Sequence, residues 1–142
     1  MSIVIVASGE SEQYSLVGHD AINEIFKTSH LTLKGRSDIR ESCREFKWEF
    51  VPDEILVSED INTHETASEI KGVMRWNNIP LRVCKELNAC QVNDGVSSLH
   101  RSLDKSKNYL VITNPINATR YIKLVSTDVI NNDSKIKGTF LI

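Results

Sequence analysis

Ile3-Val4-Ile5-Val6-Ala7-Ser8-Gly9-Glu10 decides the architecture of this chain. Four β-branched residues in succession, with no polar alternation, suit a strand covered on both faces, as at the centre of a parallel sheet. Ser8, Gly9 and Glu10 then turn the chain sharply. Open α/β sheets place their ligand sites beyond the carboxyl ends of such strands, so a site is expected there.

Working outward, strand patterns alternate with helical ones. Glu54 to Ser58, Leu81 to Cys84 and Tyr109 to Thr113 read as further strands, and Lys137 to Leu141 as a final edge strand. Ser8 to Ser15 is polar and turn-like. Gly18 to Lys27 predicts a short helix with Ala21, Ile22, Ile25 and Phe26 on one face. Leu31 to Arg36 opens a longer helix capped by Thr32, with Ile39, Cys43, Phe46 and Phe50 at helical spacing and Pro52 as its stop. Asn62 or Thr63 is expected to cap the next helix, which buries Ala67, Ile70 and Met74. Trp76 to Pro80 is a turn, and Asn88 to Gly95 a polar loop. Ser98 to Lys105 predicts a helix with Leu99 and Leu103 inward. Asn114-Pro115 starts the last helix, which carries Ile116, Ile122 and Val125, with Pro115 in the first turn where its missing donor is not needed. The expectation is one α/β domain over residues 1–142: a three-layer α/β/α sandwich with a mostly parallel sheet and an edge strand at the C-terminus. No internal repeat, low-complexity tract or linker interrupts it.

Composition narrows the function. The chain has 142 residues, 40% hydrophobic and 25% charged, which is ordinary for a globular protein. A net charge of -2 leaves no basic footprint for nucleic acid or a membrane surface. No apolar run reaches the length of a membrane span, and the first residues lack the pattern of a secretory signal. Cys43, Cys84 and Cys90 form an odd set without paired spacing, which points to reduced thiols and a cytoplasmic location. Asn117-Ala118-Thr119 fits the glycosylation pattern by chance in that setting. The four histidines, the cysteines and the carboxylates show no metal-ligand spacing, so neither a metal nor another cofactor is expected.

The order of motifs resembles the histidine phosphatase superfamily, the phosphoglycerate-mutase-like fold, in small forms such as the bacterial phosphohistidine phosphatases. In that family the first strand ends in Arg-His-Gly-Glu, and Leu-Thr-x-x-Gly-Arg opens the next helix. A second strand leads to an Arg ahead of a Thr-Ala pair, and the last parallel strand ends in His-Gly. Here Gly9 and Glu10 match the end of the first motif, and Leu31, Thr32, Gly35 and Arg36 match the second. Leu56-Val57-Ser58, Thr66-Ala67-Ser68-Glu69-Ile70 and Leu110-Val111-Ile112-Thr113 match the later strands and helix. The resemblance implies a His nucleophile that takes the phosphoryl group, two Arg and a second His that hold its oxygens, and a carboxylate that protonates the leaving group. Those positions hold Ser8 for the nucleophile, Ala7 and Asn62 for the two Arg, Asn114 for the second His and Ala89 for the acid.

Ala donates nothing to a phosphate, and Asn offers only a neutral hydrogen bond, about half as strong as a charge-assisted one. The sequence reading is therefore a catalytically inactive histidine-phosphatase-like protein that binds a protein partner, with weak or absent phosphate-ester binding. Its crevice is formed by Ser8, Gly9, Glu10, Asn62, His64 and Asn114. A compact chain that keeps a scaffold without its reactive groups also fits a small regulatory or viral protein. The alternative is a phosphatase rebuilt around Ser8, which requires a base such as His64 or His100 turned towards it. An unrelated flavodoxin-like or nucleotide-binding domain has no Gly-rich phosphate loop to support it. His19, His30 and Arg36 read as surface residues, and Trp48 and Trp76 as core covers or partner anchors.

Overall fold

A computed structural model describes residues 1–9, 11, 29–88, 94–132 and 137–141, and the side chains among these except Asp94 and those of 126–132 and 137–141. The expected helix over 18–27, His19, Glu10, Ala89 and Cys90 lie outside the described residues.

The opening stretch forms β1 (Ser2–Ala7), whose residues 3 to 7 are all buried. Around it stand β2 (Glu54–Val57), β3 (Leu81–Val83), β4 (Tyr109–Thr113) and β5 (Lys137–Leu141). The five strands pair in the order β3-β2-β4-β1-β5, and every ladder is parallel. β1 aligns Ile3 with Tyr109 and Ala7 with Thr113 on one side, and Ser2 with Lys137 on the other. The C-terminal strand lies at an edge, as its weak pattern predicts.

The period of two along β1 explains its unbroken apolar run. Ile3, Ile5 and Ala7 enter one core with Leu56, Tyr109 and Val111, under α3 (Asp94–Ser102) and α4 (Pro115–Asn132). Val4 and Val6 enter the other with Ile55, Val57, Leu110 and Ile112, under α1 (Leu33–Glu45) and α2 (Ile61–Met74). Helices cover both faces, which is why no polar residue interrupts the strand. Cys43 and Cys84 are buried on opposite faces outside any disulfide, and burial pushes each thiol up to about 11.

Thr32 caps α1 as its sequence predicts, its Oγ1 accepting from the Gly35 N–H at 2.9 Å. The helix ends at Glu45, short of Pro52. Phe46, Trp48 and Phe50 still pack on the core, but from an extended segment in which they alternate with exposed Lys47 and Glu49. Their spacing satisfies a period of two as well as a helical one, and the edge-on contacts of Trp48 with Phe46 (4.7 Å) and Trp76 (4.9 Å) favour the former. Asp60, rather than Asn62 or Thr63, is the N-cap of α2. α3 occupies 94–102 rather than 98–105, and Leu103 still packs inward beyond its end. In α4 the buried face is Asn117, Ala118, Tyr121 and Val125, and Ile116 is exposed.

Arg36 is not a plain surface residue. Its guanidinium reaches from α1 to Glu65 and to Glu69 (3.0 Å) on α2, and Arg40 joins Glu69 at 3.4 Å. Glu65 also accepts from the Leu31 N–H at 3.0 Å. Burial pushes the Glu65 carboxyl up, but that bond, His30 and the Arg36 charge outweigh it and hold the group below its ordinary 4.5.

Candidate functional site

Parallel strands bring their carboxyl ends to one side of the sheet, and α2 and α4 begin there. Ala7 is the last residue of β1, buried opposite Thr113. Ser8 continues that ladder, its N–H donating to the Thr113 carbonyl at 2.7 Å, and is itself buried. Gly9 follows, and its N–H donates to Thr66 Oγ1 at 3.3 Å. The Thr66 hydroxyl donates in turn to the Asn62 carbonyl at 2.7 Å. Ser8, Gly9 and Asn62 are thus brought to one place, and Asn114 joins them from the end of β4.

Gly9 is required here by packing rather than by a left-handed backbone. No described glycine has positive φ. A Cβ at Gly9 would stand 2.5 Å from Ile39 Cδ1 and 3.2 Å from the Gly35 carbonyl oxygen. The two glycines of the motifs quoted above therefore meet where β1 leaves the sheet beneath α1.

The two asparagines behave differently. The Asn114 carbonyl accepts from the Ala118 N–H at 2.9 Å, and its Oδ1 accepts from the Asn117 N–H, also at 2.9 Å. It is the N-cap of α4, with Pro115 in the first helical position, a favoured pairing at a helix start. Its Nδ2 points to the Leu87 carbonyl at 3.4 Å, which Thr113 Oγ1 (2.8 Å) and Asn117 Nδ2 (3.0 Å) also use. Asn62, fully buried in the first turn of α2, has no hydrogen-bond partner for either side-chain atom among the described residues.

His64 points elsewhere. Asn62 and Thr66 share one face of α2, and His64 lies on the opposite one with Ser68 and Lys71, in a groove beside Leu81. His100 is buried between α3 and α4, its Nδ1 2.8 Å from Tyr121 Oη and its ring edge-on to the tyrosine. Thus His64 lines the groove on the far side of α2 from Asn62, and His100 is engaged by Tyr121.

Sequence reading named Ser58 and Thr63 but passed over Asp60, which joins them in a second set of groups at this end. Ser58 Oγ donates to Asp60 Oδ2 at 2.8 Å and lies 3.0 Å from Thr63 Oγ1, and Thr63 donates to the Asp60 carbonyl at 2.8 Å. All three residues are buried. Ser-x-Asp after a buried strand is the signal that identifies them as a helix start. A helix N-terminus attracts anions, but the side chain standing at this one is a carboxyl group. Among the described residues no three His, Cys, Asp or Glu side chains are grouped to hold a metal ion. No described helix is long and apolar enough to cross a membrane.

No family model matches the sequence, and no curated protein matches it. Solved structures do match. A protein assigned as the phosphohistidine phosphatase SixA of Agrobacterium tumefaciens superposes with a TM-score of 0.65 at 12% identity, over 89% of this chain and 78% of that one. The protein histidine phosphatase SixA complexed with tungstate gives 0.61 at 20% identity, over 86% and 75%. A protein assigned as an α-ribazole-5′-phosphate phosphatase of Escherichia coli K-12 gives 0.64 at 15%, over 86% and 78%. At these identities the likeness is one of fold.

Proposed function

From its histidine phosphatase, phosphoglycerate-mutase-like fold, we propose that this chain is a catalytically inactive phosphatase relative that binds a protein partner. The observation that carries this is the state of Asn114. At the position where the resemblance places a phosphate-holding histidine, the side-chain oxygen is engaged in capping α4 and the amide nitrogen faces a carbonyl. Asn62, at one arginine position, brings an uncharged amide, and Ala7, at the other, brings no donor.

The energetics run in one direction. A dianion in a partly dry crevice needs cations or several charge-assisted bonds to offset its desolvation. Loss of one such donor costs roughly two to three orders of magnitude in rate, and here nucleophile and clamp are both replaced. A serine phosphatase built on Ser8 needs a base on that hydroxyl; His64 faces the outer side of α2 and His100 is held by Tyr121. Leu33 at the start of α1 (86%) and Ile116 at the start of α4 (37%) are exposed apolar residues available to a partner.

The test is phosphate release from a panel of phosphate monoesters and phosphohistidine peptides, with Ser8→Ala in parallel. No release above background is expected from either protein. Release by the wild type that disappears in Ser8→Ala would overturn the reading.

A further inference from the structure

β3 is the outermost strand on its side of the sheet, and all three of its residues are exposed. Its neighbours Pro80 and Cys84 bond to β2: the Ile55 N–H donates to the Pro80 carbonyl at 2.9 Å, and the Cys84 N–H to the Val57 carbonyl at 2.7 Å. Backbone groups alternate in direction along a strand, so the N–H and C=O groups of Leu81 and Val83 face away from the sheet. The side chains of these two residues share one face, 37% and 47% exposed. Arg82 projects to the other face and pairs with Glu54.

Alongside this edge, on the α2 face, runs a groove of about 410 Å³ lined by His64, Ser68, Lys71, Gly72, Asn77 and Leu81. Positions 64, 68, 71 and 72 fall on one side of α2. A Cβ added at Gly72 would meet nothing within 4 Å, so the wall there is open. Charge is arranged to match. Lys71 lines the groove and Arg75 and Lys85 lie within residues 70–85, a stretch with no acidic side chain in a chain whose net charge is -2, while Arg82 is taken up by Glu54 on the other face. A second copy laid edge to edge would set these like charges against each other, which disfavours self-pairing.

The geometry points to an acidic, extended segment of a partner protein that adds to the sheet as a further strand beside β3. Its backbone pairs with Leu81 and Val83, its apolar side chains cover theirs, and a carboxylate enters the groove at His64 and Lys71. This site lies across α2 from Asn62 and Thr66 and is independent of whether the crevice is catalytic.

The test is selection of a phage-displayed library of random decapeptides on the full chain, followed by binding of the enriched peptide in synthetic form. Two variants discriminate. Val83→Pro removes an outward N–H at an edge position where proline is tolerated, and its thermal midpoint reports its folding. Lys71→Glu reverses the groove charge on the helix surface. Enriched peptides are expected to alternate apolar residues with at least two Asp or Glu. Binding should weaken at least about tenfold in each variant, and amide exchange at Leu81 and Val83 should slow in the complex. Enrichment of neutral or basic peptides, wild-type affinity in either variant, or no enrichment overturns the proposal. So does self-association abolished by Val83→Pro, which would make a second copy the occupant. Phosphate release is read separately, so failure here leaves the reading of the crevice standing.

Discussion

Asn62 and Asn114 share a side chain and differ in everything else. Asn114 accepts at a helix start, so Asn114→Ala should cost about 1 to 2 kcal/mol in urea denaturation, and Asn114→Ser should retain most of the stability. Asn62 is fully buried with its amide unpartnered. An unmet buried amide opposes folding, so Asn62→Leu, which keeps the branched heavy-atom skeleton, should be neutral or stabilising by about 1 kcal/mol where the site takes the larger methyls. A loss larger than that would show that the amide is bonded in solution. The sequence shows only half of this difference: Asn114 stands beside a proline, a legible helix start, whereas the isolation of Asn62 comes from packing.

At the scale of elements, two contacts fix α1 to its neighbours. Gly9 leaves β1 against Ile39, and Gly9→Ala should destabilise the fold by about 1 to 3 kcal/mol, because the methyl meets a side chain held in a full core. Ile39→Val removes the atom at 2.5 Å, so the double variant should recover part of that loss beyond additivity, which a double-mutant cycle measures. The second contact is Arg36 with Glu65 and Glu69. Arg36→Met should cost about 1 to 2 kcal/mol at neutral pH, since the groups are part-buried and charge-assisted. The folded Glu65 carboxyl titrates below its ordinary 4.5, so its contribution is complete above that value and is lost as pH falls through the folded value. The gap between wild type and Arg36→Met should therefore narrow between neutral pH and pH of about 3. The period of α1 was legible in Ile39 and Cys43; its end was not, because the spacing of Phe46 and Phe50 fits both a helix and an extended segment.

For the whole molecule, the proposal of a crevice without a cationic clamp makes a thermodynamic prediction. A site with a phosphate Kd of about 0.1 mM would gain about 2.7 kcal/mol at about 10 mM ligand. Inorganic phosphate at that concentration is expected to shift the thermal midpoint no more than sodium chloride at equal ionic strength, and a clear phosphate-specific rise would restore the anion site. The sequence by itself determined the parallel α/β/α architecture, because a strand buried on both faces has to be apolar throughout and the helices between strands carry their own period. It also determined that Ala7, Ser8, Asn62 and Asn114, the positions the resemblance singles out, include neither a histidine nor a cation. Only the tertiary structure decided that Asn114 is engaged by α4, that His64 lines the outer groove of α2 while His100 meets Tyr121, and that Arg36 bridges two helices. It alone set the basic stretch 70–85 along an open sheet edge. Each of these depends on which face of an element meets which neighbour, and local pattern carries no information about partners distant in sequence.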